Sequence, residues 1–212
     1  MTNVIDILKK VGALISDDHF VGTSGLHMDT YINKDALYPH TKETSEVGKL
    51  FGEKYKDKNI DVVVAPALGG IILSQWTAHH LSELNNKDVL GIYTEKTPEG
   101  GQVFTRGYDK YVNGKNILIV EDLTTTGGSV MKVVEAVKEK GGNVVGVCVM
   151  VNKNPKTVNS DTLGIPFDSL AEYPVAVYEA KDCPLCRSGI PVNITIGHGK
   201  KFVESQLPKK DN

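Results

Sequence analysis

The sequence predicts an α/β protein built on a doubly wound, mainly parallel sheet. Three observations lead there. Short apolar runs rich in β-branched residues recur along the chain, amphipathic helical patterns separate them, and small-residue or acidic loops fall where the runs end. Strand and helix alternating in this order give a parallel sheet covered on both faces. In such sheets ligands bind beyond the carboxyl ends of the strands.

Each element follows from its pattern. In the opening MTNVIDILKKVGALISDDHF, residues Val4, Ile5, Leu8, Val11, Leu14 and Ile15 are spaced as one amphipathic helix, and the acidic residues do not suit a signal peptide. Residues 20–40 are rich in turn formers and read as irregular or as a hairpin. Buried strands are expected at 61–68, 89–96, 116–122, 143–152 and 174–180. Between them, GIILSQWTAHHLSELNN places Ile72, Trp76, His79 or His80 and Leu84 on one helical face. SVMKVVEAVKEKGG does the same with Val130, Val133, Val134 and Val137, and ends at Gly141-Gly142. Residues 97–114 hold four glycines and few apolar side chains. A connection that long reads as disordered or as a functional lid.

Composition narrows the function classes. A chain of 212 residues supports one substantial domain with a real core. With 40% hydrophobic and 24% charged residues it is an ordinary globular sequence. The formal charge of -2 and pI near 6.3 give no basis for binding nucleic acid or a membrane surface. No apolar run approaches the roughly 20 residues that span a bilayer. Three cysteines do not make a disulfide framework, and a cytoplasmic location is expected.

The most informative stretch is ILIVEDLTTTGGS, residues 117–129. An apolar run ends in Glu121 and Asp122, whose carboxylates can accept from sugar hydroxyls or face a divalent cation. A small-residue loop then enters a helix, where glycines leave backbone N–H groups unshielded and the helix N-terminus adds partial positive charge, so a phosphate fits. A phosphorylated ribose carries both a diol and a phosphate and answers to both halves. The bland alternative is a tight strand-to-helix turn capped by Ser129 or Thr126. There is no Walker pattern and no Gly-x-Gly-x-x-Gly turn. PALGG after DVVVA is a second strand, glycine turn and helix, also suited to an anion.

ILIVEDLTTTGGS resembles the 13-residue phosphoribosyl-pyrophosphate (PRPP) signature of type I phosphoribosyltransferases. DDHFVGTSGLHMDTYINK, APALGG and KDCPLCRSGIPV are similar to an N-terminal base-site segment, a pyrophosphate loop and a C-terminal block of the orotate branch. The resemblance implies a type I phosphoribosyltransferase fold as a single domain over residues 1–212. Its core would span about 45–180, with a small hood from segments 1–44 and 181–212. It implies that Glu121 and Asp122 hold the ribose hydroxyls. Thr125, Thr126, Gly127, Gly128 and Ser129 would bind the 5-phosphate within a PRPP loop that includes Leu123 and Thr124. Ala67, Leu68, Gly69 and Gly70 would line the pyrophosphate. Thr23, Ser24, Gly25, Thr125 and Lys153 would meet the base, Lys153 standing where the family commonly has an arginine.

The activity so implied is attack of a base nitrogen, orotate first, on C1 of PRPP with release of pyrophosphate and formation of orotidine 5-monophosphate. Mg2+ would be held mainly through PRPP and near Glu121 and Asp122. A lid cation, Lys96 or Arg106, would join Glu121 and Asp122 as catalytic groups, and a homodimer is expected. Transfer to a purine, or a non-catalytic PRPP-sensing regulator, are the alternatives. The single Cys183-Pro-Leu-Cys186 reads as a packed C-terminal turn with free thiols. It is half of a zinc site, which His198 and Cys148 could complete only if the fold delivered them.

Overall fold

The structure, a computed structural model, describes residues 3–22 and 24–206. In chain order the elements are α1 (Val4–Lys10), β1 (Leu14–Ile15), β2 (Phe20–Val21), β3 (His27–Met28), β4 (Tyr31–Ile32), α2 (Thr41–Tyr55), β5 (Val62–Pro66) and α3 (Gly69–Asn85). Then come β6 (Leu90–Lys96), β7 (Gln102–Val103), β8 (Asn116–Thr124), α4 (Gly128–Glu139), β9 (Asn143–Asn152), α5 (Ser160–Leu163), β10 (Phe167–Glu172), α6 (Pro184–Arg187) and α7 (Gly199–Gln206). The chain forms two compact units, one of Met1–Ile7 and Lys34–Pro174, the other of Leu8–Asn33 and Val175–Asn212.

The first unit is organised by a six-stranded sheet in the order β10-β9-β8-β5-β6-β7, parallel except for the β6–β7 pair. Its central strands are apolar on both faces, and every residue of β5 is buried. On one face Val130, Val133, Val134 and Val137 of α4 pack with Ile117, Ile119, Val147 and Val149 of β8 and β9. α2 packs against α3, where a Cβ added at Gly48 would fall 2.5 Å from Trp76 Cβ, so only glycine allows that approach. β5 leads through α3 to β6 on one side, and β8 leads through α4 to β9 on the other. The winding direction therefore reverses between β5 and β8, which opens a crevice at their carboxyl ends.

Four local expectations need correction. The helix over the opening residues stops at Lys10, and Leu14–Ile15 is a strand. Gly12 at φ +70° ends it, with the Gly12 N–H donating to Lys9 O and the Ala13 N–H to Leu8 O, a Schellman arrangement. The fifth strand of the parallel set is Phe167–Glu172, not 174–180. Its half-buried edge position removes the continuous apolar run that marks a central strand. Residues 174–180 begin with Pro174 and contribute only a single bridge, Tyr178 to His27. Thr41–Tyr55 is a full helix that the pattern reading did not single out. Residues 97–114 are largely ordered structure: β7 pairs back on β6, Phe104 and Val112 are buried in the core, and a 3-10 turn covers Tyr108–Tyr111.

The second unit contains two short antiparallel pairs, β1 with β4 and β2 with β3. Residues 20–40 thus include a hairpin, turning at Gly25 with φ +82°. The C-terminal segment ties onto it through Asn193 N–H to His19 O, His198 N–H to Val21 O, and paired bonds between His27 and Tyr178. Among the described residues, no helix is long and apolar enough to cross a membrane.

Candidate active site

A cavity of about 290 Å³ lies at the carboxyl ends of β5 and β8. Its lining includes Ala67, Leu68 and Gly69 after β5, Glu121, Asp122 and Leu123 at the end of β8, and Ser129 in the first turn of α4. Larger hollows exist in the same unit, one of about 670 Å³ beside Leu50 and Glu172. The smaller cavity is the chemically organised one, because carboxylates, ammonium groups and two helix N-termini converge on it.

Glu121 and Asp122 are 7% and 5% exposed. Placing adjacent carboxylates in so dry a position costs free energy unless they are paired. Asp122 is paired: Lys34 Nζ lies 2.8 Å from its Oδ2, and the Tyr38 hydroxyl donates to the same oxygen at 3.2 Å. Its Oδ1 accepts the Leu123 N–H at 2.6 Å. Burial works against the Lys34 ammonium, but Asp122 outweighs it and holds the lysine above its ordinary pKa. Burial, followed by the Asp122 charge, pushes the Tyr38 hydroxyl up strongly. Glu121 lacks such a clamp. Burial and then the charge of Asp122 raise its carboxyl to about 8, although it accepts the Asp122 N–H at 3.0 Å.

The loop into α4 is built by its own hydroxyls. The Gly127 N–H donates to Thr124 Oγ1 at 3.0 Å, and the Gly128 N–H to Thr126 Oγ1 at 3.4 Å. Gly127, at φ +75°, is the N-cap of α4, and no side chain caps the helix. Ser129 does not cap the helix, and Thr126 takes only the Gly128 N–H, through a long bond. Beyond Gly128, the first-turn amides of α4 have no side-chain acceptor and are available to an anion. Thr124 is buried and Thr125 exposed. The β5–α3 turn has a cis Ala67–Leu68 peptide. Gly69 stands where an added Cβ would meet Asp122 Oδ2 and Lys34 Nζ, while Gly70 packs tightly against Ala65 and Pro66. Gly69 thus borders the cavity, and Gly70 holds the start of α3 on the sheet.

Of the two lid cations, Lys96 lines the cavity, whereas Arg106 Nε donates to Glu95 Oε1 at 2.9 Å on the surface. Lys153 follows β9, its N–H donating to Thr124 O at 2.9 Å. Burial lowers its ammonium pKa, with Asp122 acting in the opposite direction. Ser24 and Gly25 lie in the β2–β3 turn of the second unit, beside a hollow lined by His198 and Phe202. Thr23 lies outside the described residues.

Lys34, Tyr38, Gln102 and Lys132 join the site without having been singled out from the sequence; Lys34, Gln102 and Lys132 line the cavity. Lys132 was legible in principle, since it follows Ser129 by three residues on the same helical face. Lys34 closes the DDHFVGTSGLHMDTYINK segment, but nothing in that segment shows that it reaches Asp122.

Fold and site together define a doubly wound α/β protein whose crevice joins buried carboxylates to two helix N-termini. Residues 33–176 match the family model of the phosphoribosyl transferase domain, and the chain belongs to that family. It is 37% identical over 189 residues to the orotate phosphoribosyltransferase of Thermoanaerobacter sp. (strain X514), covering 89% of this chain and 93% of the relative. It is 35% identical over 191 residues to the enzyme of the same name from a strain of Thermus thermophilus, covering 90% and 98%. In fold it matches Mycobacterium tuberculosis H37Rv orotate phosphoribosyltransferase solved with PRPP. That match has a TM-score of 0.59 and 23% identity, and covers 80% of this chain and 93% of the other.

Proposed function

We propose that this chain transfers the 5-phosphoribosyl group of PRPP to orotate, forming orotidine 5-monophosphate and releasing pyrophosphate. The observation that carries the reading is the Glu121–Asp122 pair, buried at the end of β8 and immediately followed by an uncapped helix. A ribose bearing a 5-phosphate and a 1-pyrophosphate places hydroxyls against carboxylates and anions against amides and ammonium groups. The names of the relatives supply the base, orotate.

The chemistry follows from charge. As the bond from C1 to pyrophosphate lengthens, the ribose ring becomes positive and the leaving group more negative. Asp122 sits where it can stabilise that positive charge, and Glu121, which holds its proton up to about pH 8 in the ligand-free protein, can hydrogen-bond a ring hydroxyl beside it. Lys96 and Lys132 line the same cavity and can meet the departing pyrophosphate. Lys34, bonded to Asp122, positions that carboxylate and lines the same cavity.

Mg2+ belongs to the proposal as the divalent partner of PRPP. The donors fit it, being hard carboxylate oxygens, but Asp122 Oδ2 is already bonded to Lys34 and Tyr38. That favours holding the ion through pyrophosphate, with Glu121 and Asp122 close by. When bound, it would neutralise charge on the leaving group.

The test is to incubate the full chain with PRPP, Mg2+ and a panel of orotate, uracil, adenine, guanine and hypoxanthine, and to follow pyrophosphate release. Release with orotate is expected. Binding of PRPP without release on any base would sink the enzyme reading, and release with a purine but not orotate would sink the choice of base.

A further inference from the structure

We propose that the second unit holds a structural zinc ion, ligated by His19 Nε2, His27 Nδ1, Cys183 Sγ and Cys186 Sγ. These four atoms lie within 4.8 Å of one another. Sulfur-to-nitrogen separations are 3.7 Å from Cys183 to His19, 3.7 Å from Cys186 to His19 and 3.4 Å from Cys186 to His27. A tetrahedral zinc with Zn–N of about 2.0–2.1 Å and Zn–S of about 2.3 Å has ligand-to-ligand edges of roughly 3.3–3.8 Å. The sulfur-to-nitrogen edges fall in that range. The two imidazole nitrogens are 2.7 Å apart and would open by roughly 0.6 Å around the ion.

The surroundings point to a metal rather than to a hydrogen-bonded histidine pair. His19 Nδ1 is 2.8 Å from the Ile190 carbonyl, which can only accept. The ring proton is therefore on Nδ1, and Nε2 presents a lone pair to the centre of the cluster. This is the outer bond that typically fixes a metal-binding histidine. His27 Nε2 is buried without a hydrogen-bond partner. It is a bare acceptor if Nδ1 carries the proton and a bare N–H if Nδ1 binds zinc, so it favours neither. What favours zinc is that two thiols converge with the two ring nitrogens on one point. With zinc at the centre both lone pairs and both sulfurs have a common partner. Three of the ligands, His19, His27 and Cys183, are 0% exposed and Cys186 lies at the surface. Four protein ligands leave no open coordination position, as in structural zinc sites.

The backbone holds the ligands in place. His19 and His27 frame the β2–β3 hairpin, and Cys183 and Cys186 flank the first turn of α6, which starts at Pro184. The His27–Tyr178 and Asn193–His19 backbone bonds bring the two chain ends together. The unit needs such a tie. Its named strands are two residues long, and a unit of this size, below about 70 residues, rarely builds enough apolar core by itself. Zinc would link residues far apart in sequence, and its binding energy would add to folding. The site stands apart from the completion suggested by the sequence. Cys148 is fully buried in β9 of the first unit, and the fold supplies His19 and His27 to the cysteine pair instead.

The test is metal analysis of the full chain, purified with zinc present and then dialysed against a chelator, followed by exchange with Co2+. Expected are about one zinc per chain and, with Co2+, the strong red-region absorption of a tetrahedral ion together with a near-ultraviolet thiolate band. Cys186→Ser, at the exposed ligand, should weaken metal retention at least about tenfold and reduce the thiolate band. The wild-type measurements decide the matter if that variant does not fold. Less than about a tenth of a zinc per chain with both thiols freely titrating, or a weak octahedral cobalt spectrum, would overturn the proposal.

Discussion

Glu121→Gln isolates the cost of the acidic pair. The substitution keeps the size of the side chain and the oxygen that accepts the Asp122 N–H at 3.0 Å, and removes only the charge. In the folded, ligand-free protein the Glu121 carboxyl is raised from 4.5 to about 8 by burial and by Asp122. Lys34, on the other side of Asp122, acts against that rise but does not cancel it. Tyr38, also on Asp122, is held neutral by its own raised pKa. Between pH 5 and 8 the folded chain therefore keeps a proton that the unfolded chain has released. Stability must fall as pH rises across that window, since the unfolded state binds fewer protons. At about 1.4 kcal/mol for each pH unit between 4.5 and 8, the loss is at most about 5 kcal/mol by pH 9, and less where the pair relaxes. Urea unfolding of wild type and variant without ligand, every half unit from pH 5 to 9, measures it. The difference between the two curves should grow in favour of the variant from pH 5 to about 8.5. Parallel curves would refute the argument, because they would mean that Glu121 titrates as an ordinary carboxylate.

Three further substitutions test the cavity. Lys96→Ala should lower kcat at least about tenfold, because Lys96 lines the cavity. Arg106→Ala, which breaks only an exposed pair with Glu95, should change kcat less than about threefold. The reverse order in steady-state assays would place Arg106 at the leaving group. Gly69→Ala should raise the KM for PRPP at least about tenfold, since its methyl group would fall on Asp122 Oδ2 and Lys34 Nζ. An unchanged KM would show that those groups are not part of the ligand site.

The parallel sheet was legible because its central strands are buried on both faces, so their apolar runs are continuous. The same signal failed at β10, whose half-buried edge position mixes Asp168, Ser169 and Glu172 into the strand. It also misplaced a strand at 174–180, where the β-branched residues serve a different unit. The acidic pair and the glycine loop could be read because they are adjacent in sequence. Lys34 and Tyr38 could not, since their contact with Asp122 spans more than eighty residues and leaves no local pattern. The histidine and cysteine cluster shows the same limit. Cys-x-x-Cys is visible as half a site, but the pairing of His19 and His27 with it depends on backbone bonds between the chain ends.

The helix ends give the strongest link between the folding of this chain and its ligand. The chain can cap a helix fully: α5, only four residues long, has a capping box between Asn159 and Thr162. Yet α3, of 17 residues, begins after Leu68, and α4, of 12 residues, begins after Gly127, each without a side-chain cap. A missing cap is not by itself a binding site, since α2 also lacks one at His40. What separates α3 and α4 is that both open on the same cavity, among Lys34, Lys96 and Lys132. A side-chain cap at either end would stabilise the free protein by about 1 kcal/mol, but would also place a competing acceptor where an anion has to sit. Two uncapped helices therefore suit a ligand with two separate anionic groups, and the carboxylates between them suit the hydroxyls that join those groups. A mononucleotide fills only half of that arrangement, whereas PRPP has an anion for each helix.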